Sequence, residues 1–265
     1  MNPSAFLEPV IVLCRRAGDA ILEVYAQDFA VEHKDDRSPL TAADRAAHQI
    51  LVEGLHALPD ALPVLSEESA EIAWETRRAW QRYWLVDPLD GTREFVKRNG
   101  EFTVNVALID NGVPLLGVVF APALSHLCFA AAGEGAYMRA ANGQDIRLDS
   151  RRPAPRPLRV AASRSHRDAR TQALLDRLGE REEVGLGSSL KFCRIAEGRI
   201  DFYPRFGPTS EWDTAAAQCV LEEAGGIVID TQGQRLSYNQ KASLINPDFL
   251  ALGDPALNWR SWLDG

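Results

Sequence analysis

The sequence predicts a mixed α/β protein in two unlike halves, an α+β half over residues 1–155 and an α/β half over residues 156–265. Three observations carry this. Two long N-terminal segments repeat apolar residues at helical spacing. Four short apolar stretches then follow one another with only turn residues between them. Beyond a proline-rich stretch, short strand and helix patterns alternate. Composition agrees: 46% hydrophobic and 25% charged residues over 265 positions is the balance of a globular chain with a substantial core, and it excludes disordered, collagen-like and coiled-coil classes.

Between Pro3 and Gln27, the residues Val10, Leu13, Cys14, Ala17, Ile21 and Val24 form one apolar helix face. His33 to Pro39 is polar and reads as a loop or hairpin tip. A second helix opens at Thr41, turns Ala47, Ile50, Leu51, Leu55 and Leu58 inward, and stops at Pro59. Pro63–Leu65 and Tyr83–Val86 are short strands. Phe102–Ile109, Leu115–Phe120, Leu127–Ala131 and Ala136–Arg139 make an antiparallel meander, its first turn marked by Asp110-Asn111-Gly112. Arg151–Pro157 holds three prolines and reads as a linker or crossing segment. A strand follows at Leu158–Ala162, then helices at Asp168–Leu178 and Ser188–Glu197, a strand at Ile200–Tyr203, a helix at Trp212–Ala224 and a strand at Ile227–Ile229. The two halves are expected to meet at one cleft.

The net charge of −8, from 37 acids and 29 bases, argues against broad nucleic-acid binding, which needs a basic face. It also sets a condition on any anionic substrate: the local negative field must be offset, and a bound metal is the usual means. No apolar stretch is long enough for a transmembrane helix. The N-terminal segment lacks the basic n-region of a signal peptide. Cys14, Cys128, Cys193 and Cys219 are widely spaced with no CxxC pair, the pattern of buried thiols in a reducing cytoplasm rather than of disulfides or a zinc site.

The most informative string is Asp87-Pro88-Leu89-Asp90-Gly91-Thr92, at the mouth of an apolar strand. Two carboxylates three residues apart, with the Leu89 carbonyl between them, can converge on one point, and such hard oxygen donors suit Mg²⁺. The same string is also ordinary β-turn chemistry. Glu67-Glu68 follows another apolar stretch, and equally fits a helix start with Ser66 as N-cap. Asp213 fits a capping box with Ser210, and Asp44 repeats that pattern three residues after Thr41. Brought together, Asp44, Glu67, Asp87, Asp90 and Asp213 would carry about −5, which carboxylates at short range do not sustain without cations. Two or three Mg²⁺ ions would restore neutrality and admit a phosphate dianion.

This constellation, with Trp212-Asp213 downstream, resembles the signature of the inositol monophosphatase superfamily of Mg²⁺-dependent, lithium-sensitive phosphatases. The strings Ser38–Asp44, Asn99–Asn105, Gly187–Cys193 and Tyr203–Thr209 more narrowly resemble the CysQ-type 3′(2′),5′-bisphosphate nucleotidases, and the likeness runs from about Cys14 to Asn246. The resemblance implies a layered αβαβα sandwich of the sugar-phosphatase kind. It implies a first metal on Glu67, Asp87, Asp90 and the Leu89 carbonyl, and a second on Asp87, Asp90 and Asp213. Its catalytic residues would be Asp44, Thr92 and Glu67, with Asp44 and Thr92 orienting and deprotonating the attacking water. Glu67, Leu89, Asp90, Gly91, Thr92 and Asp213 would surround the scissile phosphate. Ser188, Ser189, Lys191, Arg205 and His166 would receive a second phosphate and an adenine. The implied activity is removal of the 3′-phosphate from adenosine 3′,5′-bisphosphate to give AMP, and from 3′-phosphoadenylyl sulfate to give adenylyl sulfate, in sulfate assimilation. The implied protein is cytoplasmic, some relatives being peripheral to the inner membrane. The rival readings are an inositol monophosphatase or other small sugar-phosphate phosphatase, and a non-catalytic nucleotide-binding protein.

Overall fold

The structure, a computed structural model, describes residues 2–27, 39–162 and 169–263. Residues 33–38 of the polar stretch read as a loop tip, the start of the helix read from Asp168, and His166 lie outside the described residues, and Pro39, read with that loop, begins a helix instead. Helix α1 (Leu7–Tyr25) follows a 3₁₀ turn whose first amide is capped by the Asn2 side chain. Helix α2 spans Pro39–His56, two residues longer at its start than the sequence predicts. The α1 face formed by Val10, Leu13, Cys14, Ala17 and Ile21 packs with Ala43, Ala47, Leu51 and Leu55 of α2.

Among the described residues the strands form two sheets. The first runs in order β1 (Val64–Ser66), β2 (Arg82–Asp90), β3 (Thr103–Asp110), β4 (Val113–Ala121), β5 (His126–Ala131), β6 (Gly135–Arg139) and β7 (Asp145–Arg147). Only β1 and β2 pair in parallel; the rest is the expected meander, extended by a strand at each side. Single-turn helices α3 (Trp74–Arg77) and α4 (Thr92–Val96) flank β2. The sheet is apolar on both faces, with strict alternation. Trp84, Val86, Val104, Val106, Leu116 and Val118 face α1 and α2, whereas Tyr83, Leu85, Ala107, Ile109 and Val119 face the opposite way.

The second sheet has β8 (Leu158–Ala162) and β9 (Arg181–Gly185) at one side and β10 (Phe202–Arg205), β11 (Ile227–Asp230) and β12 (Phe249–Leu252) at the other, in spatial order β11-β12-β10-β8-β9. Helix α5 (Ala169–Leu178) and the C-terminal turn α8 (Arg260–Leu263) cover its outer face through Leu174, Leu175, Leu178 and Trp262. Helices α6 (Leu190–Ala196) and α7 (Ala215–Glu223) lie between the sheets, in one core with Leu85, Val119, Tyr203 and Phe249. The layers are therefore helix, sheet, helix, sheet, helix: an αβαβα sandwich.

Besides β7, two strands, both in the second sheet, were not legible from the pattern. The edge strand β9 carries Arg181, Glu182 and Glu183, which hide its periodicity. Strand β12 is four residues long and follows a polar stretch. The strand expected at Ile200–Tyr203 sits two residues later, because Pro204 reads as a strand end but is tolerated within β10. The proline-rich segment is a fastened crossing rather than a loose linker. Arg151 makes a forked pair with the buried Asp201 carboxylate at 2.8 and 2.6 Å, and the Arg159 amide donates to the same side chain at 2.7 Å.

The seat of α7 on the first sheet depends on Gly117. A Cβ there would stand 2.2 Å from the Ala216 carbonyl oxygen and 2.9 Å from Cys219 Cβ, so backbone, not a movable side chain, occupies the space. We predict that Gly117→Ala lowers unfolding free energy by about 3 kcal/mol, the upper end of ordinary overpacking. Urea unfolding measures this; wild-type stability would mean that α7 can shift outward freely.

Candidate active site

The site begins as a register problem. In a regular strand Asp87 and Asp90 would point to opposite faces. Asp87 pairs with Asn105, and Asp90 with Thr103, so three steps along β2 match two along β3. The extra residue is a β-bulge, which restores Asp90 to the face of Asp87. Gly91 then turns the chain into α4 at φ +90°, a left-handed conformation that favours glycine. A Cβ there would also crowd the Glu101 carbonyl at 3.1 Å and Ser188 Cβ at 3.2 Å.

Asp213 arrives from the 3₁₀ turn before α7. Its capping box with Ser210 is real, the Ser210 amide donating to Asp213 Oδ2 at 2.9 Å. The same carboxylate also stands with Asp87 and Asp90, one oxygen of each lying within 4.8 Å of the others. The capping and site readings of this residue are therefore compatible. Each of the three is held by one backbone amide: Leu89 N–H donates to Asp87 Oδ1 at 3.0 Å and Ser189 N–H to Asp90 Oδ2 at 2.6 Å. Glu67 stands at the rim, open to solvent on one side, hydrogen-bonded by the Trp212 side chain and adjacent to Asp90. Ser66 makes no side-chain cap; its hydroxyl meets His48 Nδ1 at 2.9 Å. Asp44, 9% exposed, comes from α2, which packs against the α4 turn that begins at Thr92.

The electrostatics follow from this crowding. Burial first, then the neighbouring carboxylates, raise the Asp87 carboxyl well above the usual carboxylate range. Burial also lifts Asp90 to about 6, with Lys191 and the Ser189 amide pulling the other way. Asp213 is pushed up to about 8 by burial and then by Asp90. Asp44 reaches about 8 through burial and the charges of Glu68 and Glu67. Glu67 is raised in the same direction, by burial and by Asp90.

Alongside the carboxylates opens a cleft of about 210 Å³, lined by Gly91, Thr92, Ser188, Lys191, Tyr203 and Arg205, among others. Lys191 is buried, donates from Nζ to the Ser188 carbonyl at 2.7 Å, and lies 5.1 Å above the Tyr203 ring. Burial lowers its amine to about 8 against the pull of Asp90. Arg205 donates one Nη2 bond to the Pro208 carbonyl, while its buried Nε has no partner. Ser188 lines the cleft at φ +45°. Ser189 also borders it, but its hydroxyl is buried against Thr103 and Asn105 and its amide serves Asp90. A separate group, His126, Cys128 and Glu197, also brings possible metal donors together. There the Glu197 carboxylate is already occupied by His126 at 2.5 Å, Arg194 at 2.8 Å and Arg199 at 3.1 Å.

Comparison with known proteins resolves the family. The model of the Inositol monophosphatase family matches residues 2–257. The chain belongs to the inositol monophosphatase family. Within that family it is 52% identical over 245 residues to the 3′(2′),5′-bisphosphate nucleotidase CysQ of Salmonella typhimurium, covering 92% of this chain and 98% of that protein. The protein of the same name from Haemophilus influenzae is 38% identical over 256 residues, covering 96% of this chain and 95% of that protein. Among solved structures, CysQ from Bacteroides thetaiotaomicron superposes with a TM-score of 0.85 at 39% identity, covering 92% of this chain and 96% of that one. An inositol monophosphatase from Zymomonas mobilis, at 24% identity and a TM-score of 0.79 over 98% of this chain and 96% of that one, shares the fold.

Inositol monophosphatase-family proteins are metal-dependent, and the residues present here fit a metal. The convergent donors are all oxygens, and Asp87 Oδ2 is a buried polar atom with no hydrogen-bond partner, the kind of orphan a cation satisfies. What the sequence reading missed are the contacts around the acids: Trp212 on Glu67, Glu68 beside Asp44, and the inward turn of Ser189, expected at a second phosphate, onto Thr103 and Asn105.

A linkage prediction follows. Each raised carboxyl holds its proton to higher pH in the folded chain than in the unfolded one. Their contribution to metal-free stability is therefore fully present below the ordinary carboxylate range near about 4 and is lost as pH rises through about 8. A divalent cation that replaces those protons stabilises most at the alkaline end, by about 2.7 kcal/mol at a hundredfold excess over Kd. Thermal unfolding at pH 5 and pH 8, with and without the cation, measures this. Equal cation-induced shifts in Tm at both pH values would contradict it.

Proposed function

We propose that this chain is a Mg²⁺-dependent 3′(2′),5′-bisphosphate nucleotidase, removing the 3′-phosphate of adenosine 3′,5′-bisphosphate to leave AMP and acting likewise on 3′-phosphoadenylyl sulfate to give adenylyl sulfate. The reaction serves sulfur assimilation and clearance of the bisphosphate. The observation that carries the substrate class is the juxtaposition of two cationic side chains, the buried Lys191 and the half-buried Arg205, with the carboxylate cluster in one cleft. A site for one phosphate adjoins a site for a second, which a polyol monophosphate does not need. The relatives named CysQ support the same reading.

In this reading the carboxylates of Glu67, Asp87, Asp90 and Asp213, with the Leu89 carbonyl, hold Mg²⁺, whose preference is for all-oxygen sites. When bound, the metal supplies charge neutralisation at the phosphoryl oxygens and a lowered pKa for the attacking water. Asp44 and Thr92, entering from α2 and α4, orient that water. The Thr92 hydroxyl accepts from it and donates onward to an acid, and Asp44, whose burial raises its proton affinity, takes the proton. The amides of Gly91 and Thr92 face the scissile phosphate at the cleft wall. Lys191 and Arg205 hold the 5′-phosphate, and Tyr203 offers an aromatic edge to the nucleoside. Residues 1–155 supply most of the metal-binding carboxylates, and residues 156–265 close the cleft with Asp213 and the cations. The four cysteines are buried and free, which suits a reducing cytoplasm.

Phosphate release with Mg²⁺ from adenosine 3′,5′-bisphosphate and from inositol 1-phosphate tests the substrate; faster turnover of inositol phosphate would overturn the assignment. Arg205→Ala is expected to raise KM for the bisphosphate by roughly tenfold to a hundredfold, the value of a lost charge-assisted hydrogen bond. It should leave KM for adenosine 3′-phosphate, which has no second phosphate, near wild type.

A further inference from the structure

The string Thr103-Val104-Asn105 has no role in the reaction described above, yet its side chains are among the most thoroughly buried polar groups of the chain. Along the inner face of β3, Ile109 and Ala107 belong to the core, and the next two inward positions are Asn105, 1% exposed, and Thr103, 0% exposed. They are the cross-strand partners of Asp87 and Asp90. A buried amide and a buried hydroxyl are costly unless satisfied, and here their side chains are satisfied by each other and by Ser189. Thr103 Oγ1 lies 2.8 Å from Ser189 Oγ, Ser189 Oγ lies 2.8 Å from Asn105 Oδ1, and Asn105 Nδ2 lies 3.3 Å from Thr103 Oγ1.

Donor chemistry fixes the direction of every bond in this triangle. Asn105 Oδ1 can only accept, so the Ser189 hydroxyl donates to it. With that proton committed, Ser189 Oγ accepts from the Thr103 hydroxyl. Thr103 Oγ1 then accepts from Asn105 Nδ2, and the cycle closes. The result is a closed ring of hydrogen bonds between a strand of the first sheet and the turn that precedes α6. It immobilises Ser189, and the Ser189 amide is the donor to Asp90 Oδ2 at 2.6 Å.

We propose that Thr103 and Asn105 are positioning residues that act through Ser189: their ring aims the Ser189 amide at Asp90, fixes the rotation of that carboxylate for the cation, and fastens the turn leading into α6, the helix that carries Lys191, to the metal-binding side of the cleft. The proposal rests on the reading of Asp90 as a metal ligand. An apolar trio of the same shape would fill this space with little loss of stability. What the polar ring adds is direction, since a carboxylate held through one oxygen keeps its second available near Asp87 and Asp213. Cation binding and the placement of Lys191 then share one support.

The test measures cation affinity directly, by calorimetric titration of the purified protein with Mg²⁺ well below its Tm, and records Tm and the steady-state constants in parallel. Thr103→Val, which keeps shape and removes the hydroxyl, and Ser189→Ala, which cuts the ring at its other side, are each expected to weaken Mg²⁺ binding tenfold or more, the usual effect (about 10- to 100-fold) of losing an outer-sphere partner. Thr103→Ser, which restores the hydroxyl, should bind Mg²⁺ close to wild type. A lowered Tm with unchanged Mg²⁺ affinity in both Thr103→Val and Ser189→Ala would reduce the ring to ordinary packing and overturn the proposal. Should Thr103→Val fail to fold, Ser189→Ala and Thr103→Ser decide it alone. Asp90→Asn separates the two levels. If it abolishes Mg²⁺ binding while the ring variants do not, the ring proposal fails and the metal assignment stands. If Asp90→Asn itself binds Mg²⁺ normally, both fail together.

Discussion

The constraint on which the cleft depends is mutual repulsion among carboxylates crowded at its wall, Asp44 and Asp87 buried, Asp90 and Asp213 half-buried and Glu67 at the open rim. Asp44, Glu67, Asp87, Asp90 and Asp213 all have their charged forms disfavoured, with burial the largest cause in each. Among the described residues no salt bridge relieves this. The fold places one backbone amide on each of the three central acids, from Leu89, Ser189 and Ser210. An amide fixes orientation without cancelling a full charge, so the site stays hungry for a cation. Lys191 and Arg205 stand near enough to lower the pKa of Asp90, yet their hydrogen bonds go to backbone carbonyls. They remain available to an anion.

The architecture serves this arrangement at longer range. The bulge in β2 is a single inserted residue, and without it the two aspartates of the Asp87–Asp90 turn would face different layers of the sandwich. Gly117 lets α7 lie close on the sheet, and α7 follows directly on the turn bearing Asp213. The helix layer between the sheets is shared core, with Phe192 and Ala216 in one cluster with Leu85 and Tyr203. The cleft walls therefore rest on continuous packing.

Much of this was legible in the sequence. The meander announced itself through period-two alternation, α1 through its apolar stripe, and the acid clusters through their positions at element ends. Other features were not legible because their causes are distant. Nothing local reveals that the Asp87–Asp90 turn continues a paired strand with one residue too many; that needs the register of β3. Asp213 looked like a helix cap because it is one, and its second role depends on Asp87 and Asp90 more than 120 positions earlier. Ser189 sat in a string suited to anion binding, but its partners Thr103 and Asn105 turn it inward. Strand β12 lacked a pattern of its own because its two neighbours in the sheet define it.

The position of β12 also bears on how the chain matures during synthesis. Strands β2 to β7 each pair with the next in sequence, so the first sheet can close soon after its residues leave the ribosome. The second sheet cannot, because the strand inserted between β10 and β11 is made last. Until residue 252 emerges, β10 and β11 have no common partner, and the growing chain carries a paired N-terminal sheet beside an incomplete one with exposed edges. A nascent chain stalled before its final strand would therefore present the unpaired edges of β10 and β11.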